Sequence, residues 1–493
     1  MGPTVITRSG AVRGQTRDGV TSFLGIPYAA SPTGPLRFRP PAAPQSWDGV
    51  REATALGPTP PKPDYPAPLD ELLPEPAIPG DDWLNLNVWT PDPGGAGLAV
   101  MVWIHGGGFS NGNSALPIYD GHAFARDGVV LVSINYRLGV DGFALLPGAP
   151  ANRGLLDQIA ALEWVRDNIA AFGGDPGNVT IFGESAGAMS VTTLLAIPRA
   201  QGLFARAITQ SGSVQSIADP ADAALVTKEL GLALGREPDA ASLAVVGLPE
   251  LIKGHIEVRD ALAAQPDPAR FGATIVASAL PFIPVVDGDL IPARPLDAIA
   301  AGAGSQVTLL TGTNTDEFRL FLVPTGLAGL LDEPGLTGVL ALFGVGQRAA
   351  DLYRANRPAL SPGEVLCAVL TDRYFRMPAL SVAQARRGAG AAPTYLYEFA
   401  WPSPVGGLGA CHSLEIPFVF DNLAAQGAEP ALGPQPPAAL AEQMHAAWAG
   451  FARSGDPGWP AFDDSYPVMI FNTTGGGLQS DPRGDERSIW GRG

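Results

Sequence analysis

Short apolar runs alternate with longer amphipathic stretches through most of this 493-residue chain. The segments 98–108 and 128–136 carry continuous apolar stretches, which are typical of strands buried on both faces of a parallel sheet. Further strands are predicted over 179–182, 204–210, 306–311 and 394–401. Because strands that alternate with helices form parallel sheets, the pattern predicts an α/β fold with helices on both faces of a large, mostly parallel sheet.

Two amphipathic helices are predicted from apolar positions at helical spacing. The first spans 152–174 and ends at a Gly-Gly pair, and the second lies near the end of the sequence. Their apolar stripes comprise Leu155, Ile159, Leu162, Val165 and Ile169 in the first helix, and Leu440, Met444, Trp448 and Phe451 in the second. The stretches 220–265 and 325–390 are also mainly helical in pattern, and we interpret them as insertions or a lid region.

The chain shows no internal repeat, and its patterned segments predict a single domain over 1–493. Its N-terminal part alternates short apolar stretches with turns, which indicates a small β-meander. Residues 58–79 contain nine prolines and predict a stiff, irregular loop.

Charge and composition exclude several classes of partner. The net charge of −17 argues against nucleic acid and against an anionic membrane surface. The most apolar run, 274–286, holds two prolines and is too short to cross a bilayer. The first residues lack the pattern of a signal peptide, so we expect a cytoplasmic protein.

Cysteine usage and motif searches give no sign of a bound metal or cofactor. The two cysteines, Cys367 and Cys411, are too few for a disulfide framework. Spacings typical of zinc, dinucleotide or phosphate-loop sites do not occur, so no metal and no cofactor are predicted.

The pentapeptide Gly-Glu-Ser-Ala-Gly over 183–187 follows a predicted strand and precedes a helix-compatible run. This order is the context of a nucleophile elbow, in which the serine stands on a sharp, strained turn. Larger side chains at 183 or 187 would clash in so tight a turn. A chance match in a glycine-rich chain is the alternative, but the flanking pattern favours Ser185 as a nucleophile in an α/β-hydrolase fold.

A serine nucleophile needs a base, and in this fold the acid and then the base follow the serine along the chain. That order leaves His255, His412 and His445. His445 lies beside the stripe of the last predicted helix, and His255 lies in a polar helical insertion where we expect it to be exposed. His412, in a loop between a strand and an apolar run, is therefore the predicted base.

The acid that orients the base is predicted in the turn after the strand 306–311. This turn carries Asp316 and Glu317, and the carboxyl ends of strands are where open α/β sheets place their chemistry. Composition does not choose between the two carboxylates, and a solvated acidic loop is the alternative interpretation.

Three consecutive glycines, 106–108, follow another predicted strand within the sequence WIHGGGF. Backbone N–H groups in such a loop can approach a ligand closely and stabilise a developing oxyanion. This HGGG-type segment acts together with the N–H of the residue after the nucleophile, which is Ala186 here.

These motifs lie within longer segments that together resemble one known protein family. The segments are 23–38, 84–91, 100–109, 134–139, 152–188, 204–213, 312–318 and 409–420. Over almost its full length the chain resembles the type-B carboxylesterases, the group of cholinesterases and para-nitrobenzyl esterases, and most closely a bacterial member. The resemblance implies that the acid is Glu317 and that the oxyanion donors are Gly107, Gly108 and Ala186. It also implies a supporting network of Ser211 and Glu415 behind the triad.

Two departures from the family pattern concern the substrate pocket. Phe318 stands where the family usually has glycine, and it is expected to narrow the pocket. The proline-rich stretch 58–79 occupies the place of the disulfide loop of animal members, without its cysteines or an evident choline-binding aromatic residue. Acetylcholine is therefore not expected as a substrate, whereas the three-glycine loop implies that bulky and even tertiary alcohol esters are accepted.

The residues and the resemblance together predict a serine carboxylesterase that hydrolyses small-molecule carboxylic esters through an acyl-enzyme intermediate. A monomer or weak oligomer is expected. One alternative is a hydrolase of related amides, carbamates or thioesters, which the triad does not distinguish. Another is a non-catalytic, cholinesterase-like binding module, against which the complete Ser-Glu-His set argues.

Overall fold

The computed structural model describes residues 2–490, and its main element is an 11-stranded sheet. The strands are β1 (Thr4–Ile6), β2 (Ala11–Arg13), β3 (Gln15–Arg17), β4 (Val20–Pro27), β5 (Val50–Glu52), β6 (Asn85–Thr90), β7 (Leu98–Ile104), β8 (Val129–Ile134), β9 (Gly174–Glu184), β10 (Arg206–Gln210), β11 (Thr308–Asn314), β12 (Thr394–Phe399), β13 (Pro467–Phe471) and β14 (Gly477–Ser480). A separate three-stranded sheet is formed by β1, β2 and β5.

Helices surround the large sheet. They are α1 (Leu69–Leu72), α2 (His122–Arg126), α3 (Gly139–Phe143), α4 (Arg153–Asn168), α5 (Ala186–Ala196), α6 (Pro220–Leu234), α7 (Ala240–Ala244), α8 (Leu248–Ala264), α9 (Pro268–Phe271), α10 (Ala273–Ser278), α11 (Pro295–Ala300), α12 (Arg319–Leu322), α13 (Leu327–Leu330), α14 (Glu333–Leu342), α15 (Gln347–Asn356), α16 (Pro362–Thr371), α17 (Met377–Gly388), α18 (Ile416–Val419), α19 (Glu429–Leu432), α20 (Ala438–Ser454) and α21 (Gly484–Trp490). A π-helical turn, Asp372–Arg376, joins α16 to α17.

The strand order in the large sheet is β14-β13-β12-β11-β10-β9-β7-β8-β6-β4-β3. All neighbouring strands from β13 to β8 run parallel, while the pairs at both edges run antiparallel. The carboxyl ends of β7, β9 and β11 therefore lie on the same edge of the sheet. The segments that follow these three strands carry most of the predicted site residues.

Strand β7 shows how the two faces of the sheet are covered. Its alternate residues point to opposite faces, as the geometry of a strand requires. Val102 belongs to the hydrophobic core that contains the apolar stripe of α4, whereas Trp103 belongs to the core that contains Trp448 of α20. The predicted α/β architecture with helices on both faces is confirmed.

Several short elements escaped the sequence analysis. Strands β6, β13 and β14 were not predicted, and the helix α20 is followed by two strands and another helix. Strands β6 and β14 mix apolar and polar positions, and β13 has only five residues and begins with proline, so none of them stands out in a single sequence. The insertion 220–265 contains α6 to α8, and the insertion 325–390 contains α13 to α17.

The expectation that His255 is exposed was wrong. Its side chain is buried on α8, and its ring lies 4.8 Å from the ring of Phe282. The reason is helical spacing, because His255 falls on the same face as the buried residues Leu251 and Val258. Burial lowers the pKa of His255 to about 3, so this ring is neutral at physiological pH.

Within residues 2–490, no helix combines the length and the apolar character that crossing a membrane requires.

Candidate active site

Ser185 connects β9 to α5 on a sharp turn. Its backbone has φ 54° and ψ −123°, a conformation that non-glycine residues rarely adopt and that costs about 1–3 kcal/mol. The turn is held because the Ser185 N–H donates to the Gln210 carbonyl at 2.9 Å and the Ser185 carbonyl accepts from the Met189 N–H at 2.9 Å. These features are those of a nucleophile elbow.

The two glycines of the elbow are required by close packing against the end of β7. A Cβ atom at Gly183 would lie 2.5 Å from the carbonyl oxygen of Ile104, and one at Gly187 would lie 2.0 Å from the same oxygen. Gly106 approaches from the next loop, where an added Cβ would be 3.1 Å from the Ser185 Cβ. The elbow and the glycine-rich loop are therefore in contact.

His412 and Glu317 form a short, buried hydrogen bond. The His412 Nδ1 atom lies 2.6 Å from Glu317 Oε2, and the Glu317 side chain is fully buried. The other carboxylate oxygen of Glu317 accepts from the backbone N–H of Asn314 at 2.8 Å, which fixes the carboxylate. Phe321 and Phe375 pack against the imidazole, with ring centroids 5.3 Å and 4.8 Å away. The orientation of the imidazole ring is thus set.

Asp316, the neighbouring carboxylate, faces elsewhere. It accepts a hydrogen bond from the Ala410 N–H at 3.0 Å and forms an ion pair with Arg319 at 3.3 Å. Consecutive side chains on this turn diverge, so of these two carboxylates only that of Glu317 contacts His412.

Glu184, which the sequence analysis did not single out, is the second carboxylate beside the imidazole. Its Oε1 lies 3.1 Å from His412 Nε2 and accepts from the Ser413 hydroxyl at 2.7 Å. Glu184 directly precedes Ser185, and Ser413 directly follows His412. Their adjacency to the two predicted catalytic residues was the only signal available in the sequence.

Behind the imidazole, Glu415 is buried in a network of side-chain amides. Its two carboxylate oxygens accept from Gln210 Nε2 at 3.0 Å and from Asn314 Nδ2 at 2.6 Å. The Ser211 hydroxyl is buried and has no hydrogen-bond partner among residues 2–490. Glu415 is thus held by Gln210 and Asn314 and receives no hydrogen bond from Ser211, and the supporting role of both residues stays a prediction.

Buried carboxylates control the protonation of His412. Burial alone would lower the pKa of His412, but the negative charges of Glu184, Glu317 and Glu415 outweigh it and raise the pKa to about 9. The pKa of Glu184 is raised by burial, and the pKa of Glu415 is raised by burial and by its neighbour Glu317. The site is therefore built to stabilise a positive charge on the imidazole.

The predicted oxyanion donors lie on the two segments that meet at the elbow. Gly107 and Gly108 have φ values of 104° and 60°, which favour glycine. The Gly107 carbonyl accepts from the backbone N–H of Asn111 at 2.7 Å, so the loop curls back on itself. Ala186 is the first residue of α5, and its N–H belongs to the positively polarised end of that helix.

A small cleft of about 70 Å³ opens beside these groups. The sheet edge contributes Gly106, Gly107 and Glu184, and Ser413 comes from the histidine loop. The proline-rich segment, residues 58–79, forms much of the opposite wall. Its lining residues are Tyr65, Leu72, Leu73, Pro74 and Glu75.

Neither a metal site nor a disulfide accompanies the cleft in the described chain. Among residues 2–490, no three His, Cys, Asp or Glu side chains are grouped in a way that would hold a metal ion. Cys367 and Cys411 are both buried free thiols, and burial raises the pKa of each. Buried thiols with raised pKa values are poor nucleophiles.

Comparison with known proteins identifies one family. The model of the carboxylesterase family matches residues 1–328 and 351–482. A para-nitrobenzyl esterase of Bacillus subtilis is 38% identical over 98% of this chain and 97% of its own length. A phenmedipham hydrolase of Pseudarthrobacter oxydans is 36% identical over 95% of this chain and 94% of its own.

Solved structures agree with the sequence comparison. A carboxylesterase of Geobacillus stearothermophilus has a TM-score of 0.85 and 38% identity, with 99% of each chain covered. A structure named PNB esterase has a TM-score of 0.85 and 35% identity, with 100% of both chains covered. The α/β-hydrolase architecture predicted from the sequence is confirmed.

The two adjacent acids give a first prediction. Glu317→Gln should lower kcat for ester hydrolysis by roughly 10³–10⁴-fold, because the amide does not hold the imidazole in the required tautomer and charge state. Asp316→Asn should change kcat by less than about tenfold, since it removes only a partly exposed ion pair. Steady-state kinetics of both variants test this, and the reverse ranking would reassign the acid.

The contact between Glu184 and His412 gives a second prediction. The base must be neutral to act, so activity rises with pH through the pKa of His412. Because Glu184 raises that pKa, Glu184→Gln should move the acid limb of the kcat/KM profile to lower pH by about one unit. Glu163→Gln, at a partly exposed ion pair with Arg199, is the control. An acid limb that stays in place or moves upward would contradict the prediction.

Proposed function

The chain belongs to the carboxylesterase family and is a carboxylic ester hydrolase, and from this premise we propose that Ser185, His412 and Glu317 form its catalytic triad. The observation that carries the proposal is the 2.6 Å contact between His412 Nδ1 and the buried Glu317, on the same sheet edge as the strained elbow of Ser185. Among residues 2–490, His412 Nε2 contacts Glu184 and makes no hydrogen bond with the Ser185 hydroxyl, so the Ser185–His412 contact is part of the proposal.

In the proposed first step, His412 Nε2 takes the hydroxyl proton of Ser185 while the serine oxygen attacks the ester carbonyl. The imidazolium that forms is stabilised by Glu317 through Nδ1 and by the neighbouring Glu184. His412 then gives its proton to the leaving alcohol. The product of this half-reaction is an acyl-enzyme on Ser185.

In the second step, a water molecule takes the place of the alcohol. His412 accepts a proton from the water as its oxygen attacks the acyl-enzyme, and returns the proton to the Ser185 oxygen when the acid departs. In both steps, the N–H groups of Gly107, Gly108 and Ala186 are proposed to stabilise the oxyanion. This chemistry requires only the protein's own residues and water.

Around this core we propose a single domain over 1–493 with helical insertions at about 220–265 and 325–390. The substrate is a small-molecule ester. A cytoplasmic location and a monomeric or weakly associated state stay proposals. Amide, carbamate and thioester hydrolysis share the same nucleophile, and protonation of the leaving group and the shape of the cleft decide among them.

The proposed nucleophile gives a direct prediction. Ser185→Ala should reduce kcat for para-nitrophenyl acetate by roughly 10³-fold or more, and His412→Ala should cost about as much, because triad members act as a unit. Both variants should keep the far-ultraviolet circular dichroism of the wild type. A folded Ser185→Ala protein with near-normal esterase activity would refute the assignment.

The glycine loop gives a prediction about the substrate. Gly106, Gly107 and Gly108 put no side chains beside the scissile carbonyl, so a tertiary-alcohol acetate should be hydrolysed, more slowly than a primary one. Leu280 bounds this space, since a Cβ atom at Gly108 would lie 3.1 Å from its Cδ2. Product release from both acetates is measured, with Ser185→Ala as the blank. If only the primary acetate exceeds the blank, the open-pocket idea fails and the esterase assignment stands.

A further inference from the structure

A buried ion pair, separate from the triad, lies next to the glycine loop, residues 106–112. Lys62 Nζ is 3.4 Å from Glu75 Oε2, and the two side chains are only 9% and 10% exposed. Both residues belong to the proline-rich segment, and Glu75 lines the cleft. The chain has only three lysines, and the mechanism gives this one no role.

The proline-rich segment has few ways to hold its shape by backbone bonding. Its nine prolines have no N–H groups to donate, so its contacts must come from carbonyl acceptors and side chains. One backbone bond closes its base, where the Thr59 N–H donates to the Ile78 carbonyl at 3.0 Å. Within this frame, the ion pair joins the two arms of the segment. The first arm contains Lys62 and Pro63, and the second contains Glu75 and Pro76.

The segment is tied to the end of the glycine loop at Asn111 and Asn113. Asn111 Nδ2 donates to the Pro63 carbonyl at 2.6 Å, and Asn113 Nδ2 donates to the Pro76 carbonyl at 3.1 Å. One arm of the segment therefore contacts Asn111, and the other contacts Asn113.

These ties act on the part of the loop that carries the proposed oxyanion donors. The loop is packed so closely that a Cβ atom at Gly107 would lie 2.3 Å from the Asn111 carbonyl oxygen. A Cβ atom at Gly112 would lie 2.3 Å from the Gly106 carbonyl oxygen. A shift of residues 111–112 must therefore move Gly106 and Gly107 as well.

We propose that the Lys62–Glu75 ion pair is a positioning element for the oxyanion loop. It holds the two arms of the proline-rich segment together, and the segment in turn holds the Gly107 N–H in its direction toward the scissile carbonyl. This inference rests on the proposed function, because it takes Gly107 as an oxyanion donor. Lys62 and Glu75 are positioning residues, since they act through the loop.

The charges explain why one partner cannot be removed without effect. Burial raises the pKa of Glu75, whereas the ammonium group of Lys62 and the Gly112 N–H lower it. A buried carboxylate that loses its cation must take up a proton or move toward water. Either change would disturb the arm that contains Glu75, whose neighbour Pro76 accepts the hydrogen bond from Asn113.

The test compares Lys62→Met and Glu75→Gln with the wild type. We measure kcat and KM for para-nitrophenyl acetate, the inhibition constant of a trifluoromethyl ketone, and the melting temperature. The ketone forms a tetrahedral adduct that needs the oxyanion donors, so its inhibition constant should rise about as much as kcat falls. We expect kcat to fall and the inhibition constant to rise by roughly tenfold each, while KM stays within about threefold of wild type. This pattern indicates a loss of stabilisation that is confined to the transition state.

Matched variants separate positioning from general stability. Lys62→Arg keeps the cation and should restore kcat and inhibition to near wild-type values. Lys253→Met removes a lysine of similar reach from an exposed ion pair with Glu257 and should change nothing. If Lys62→Met does not fold, Glu75→Asp, which keeps the charge but shortens the reach, should still lower kcat and weaken inhibition together.

The inference is overturned if a folded Lys62→Met or Glu75→Asp enzyme keeps both wild-type kcat and wild-type inhibition, even at a lower melting temperature. Failure of the proposed function would look different. In that case the wild type itself would resist the ketone, or Ser185→Ala would remain active.

Discussion

The site depends above all on the packing of the elbow, residues 183–187, against the carbonyl of Ile104 at the end of β7. The Ile104 oxygen lies where side chains at Gly183 and Gly187 would have to go, so both positions are restricted to glycine. This contact brings the turn of Ser185 against the start of the glycine loop. The proposed nucleophile and the proposed oxyanion donors are therefore positioned by one packing arrangement, and the strain at Ser185 is offset by the buried sheet around it.

The second constraint is electrostatic. Glu184, Glu317 and Glu415 are buried around one imidazole, and three carboxylates do not all stay ionised in a poorly solvated site without compensation. Side-chain amides and hydroxyls supply part of it, as Gln210 and Asn314 do for Glu415. The remainder comes from a positive charge on His412, whose pKa these carboxylates raise to about 9. The same carboxylates favour the imidazolium that a general base becomes when it accepts a proton.

The sequence predicted those parts of the molecule that depend on local pattern. The continuous apolar residues of β7, β8 and β9 and the turn after β9 can be recognised without long-range information. The choice between Asp316 and Glu317 could not be made from composition, because it depends on which way two adjacent side chains diverge. It came from family resemblance, and the hydrogen bond of His412 is consistent with it. Glu184 was missed because its contact with His412 joins residues more than 200 positions apart.

One helical cluster lies apart from the residues of the proposed triad. Residues 329–350 lie outside the match to the family model, and they contribute α14 and the start of α15. These helices pack in a separate hydrophobic cluster that touches the main fold near Phe318, the residue after Glu317. Because Glu317 is held from its other side by Asn314, changes within this helical cluster need not move the proposed triad.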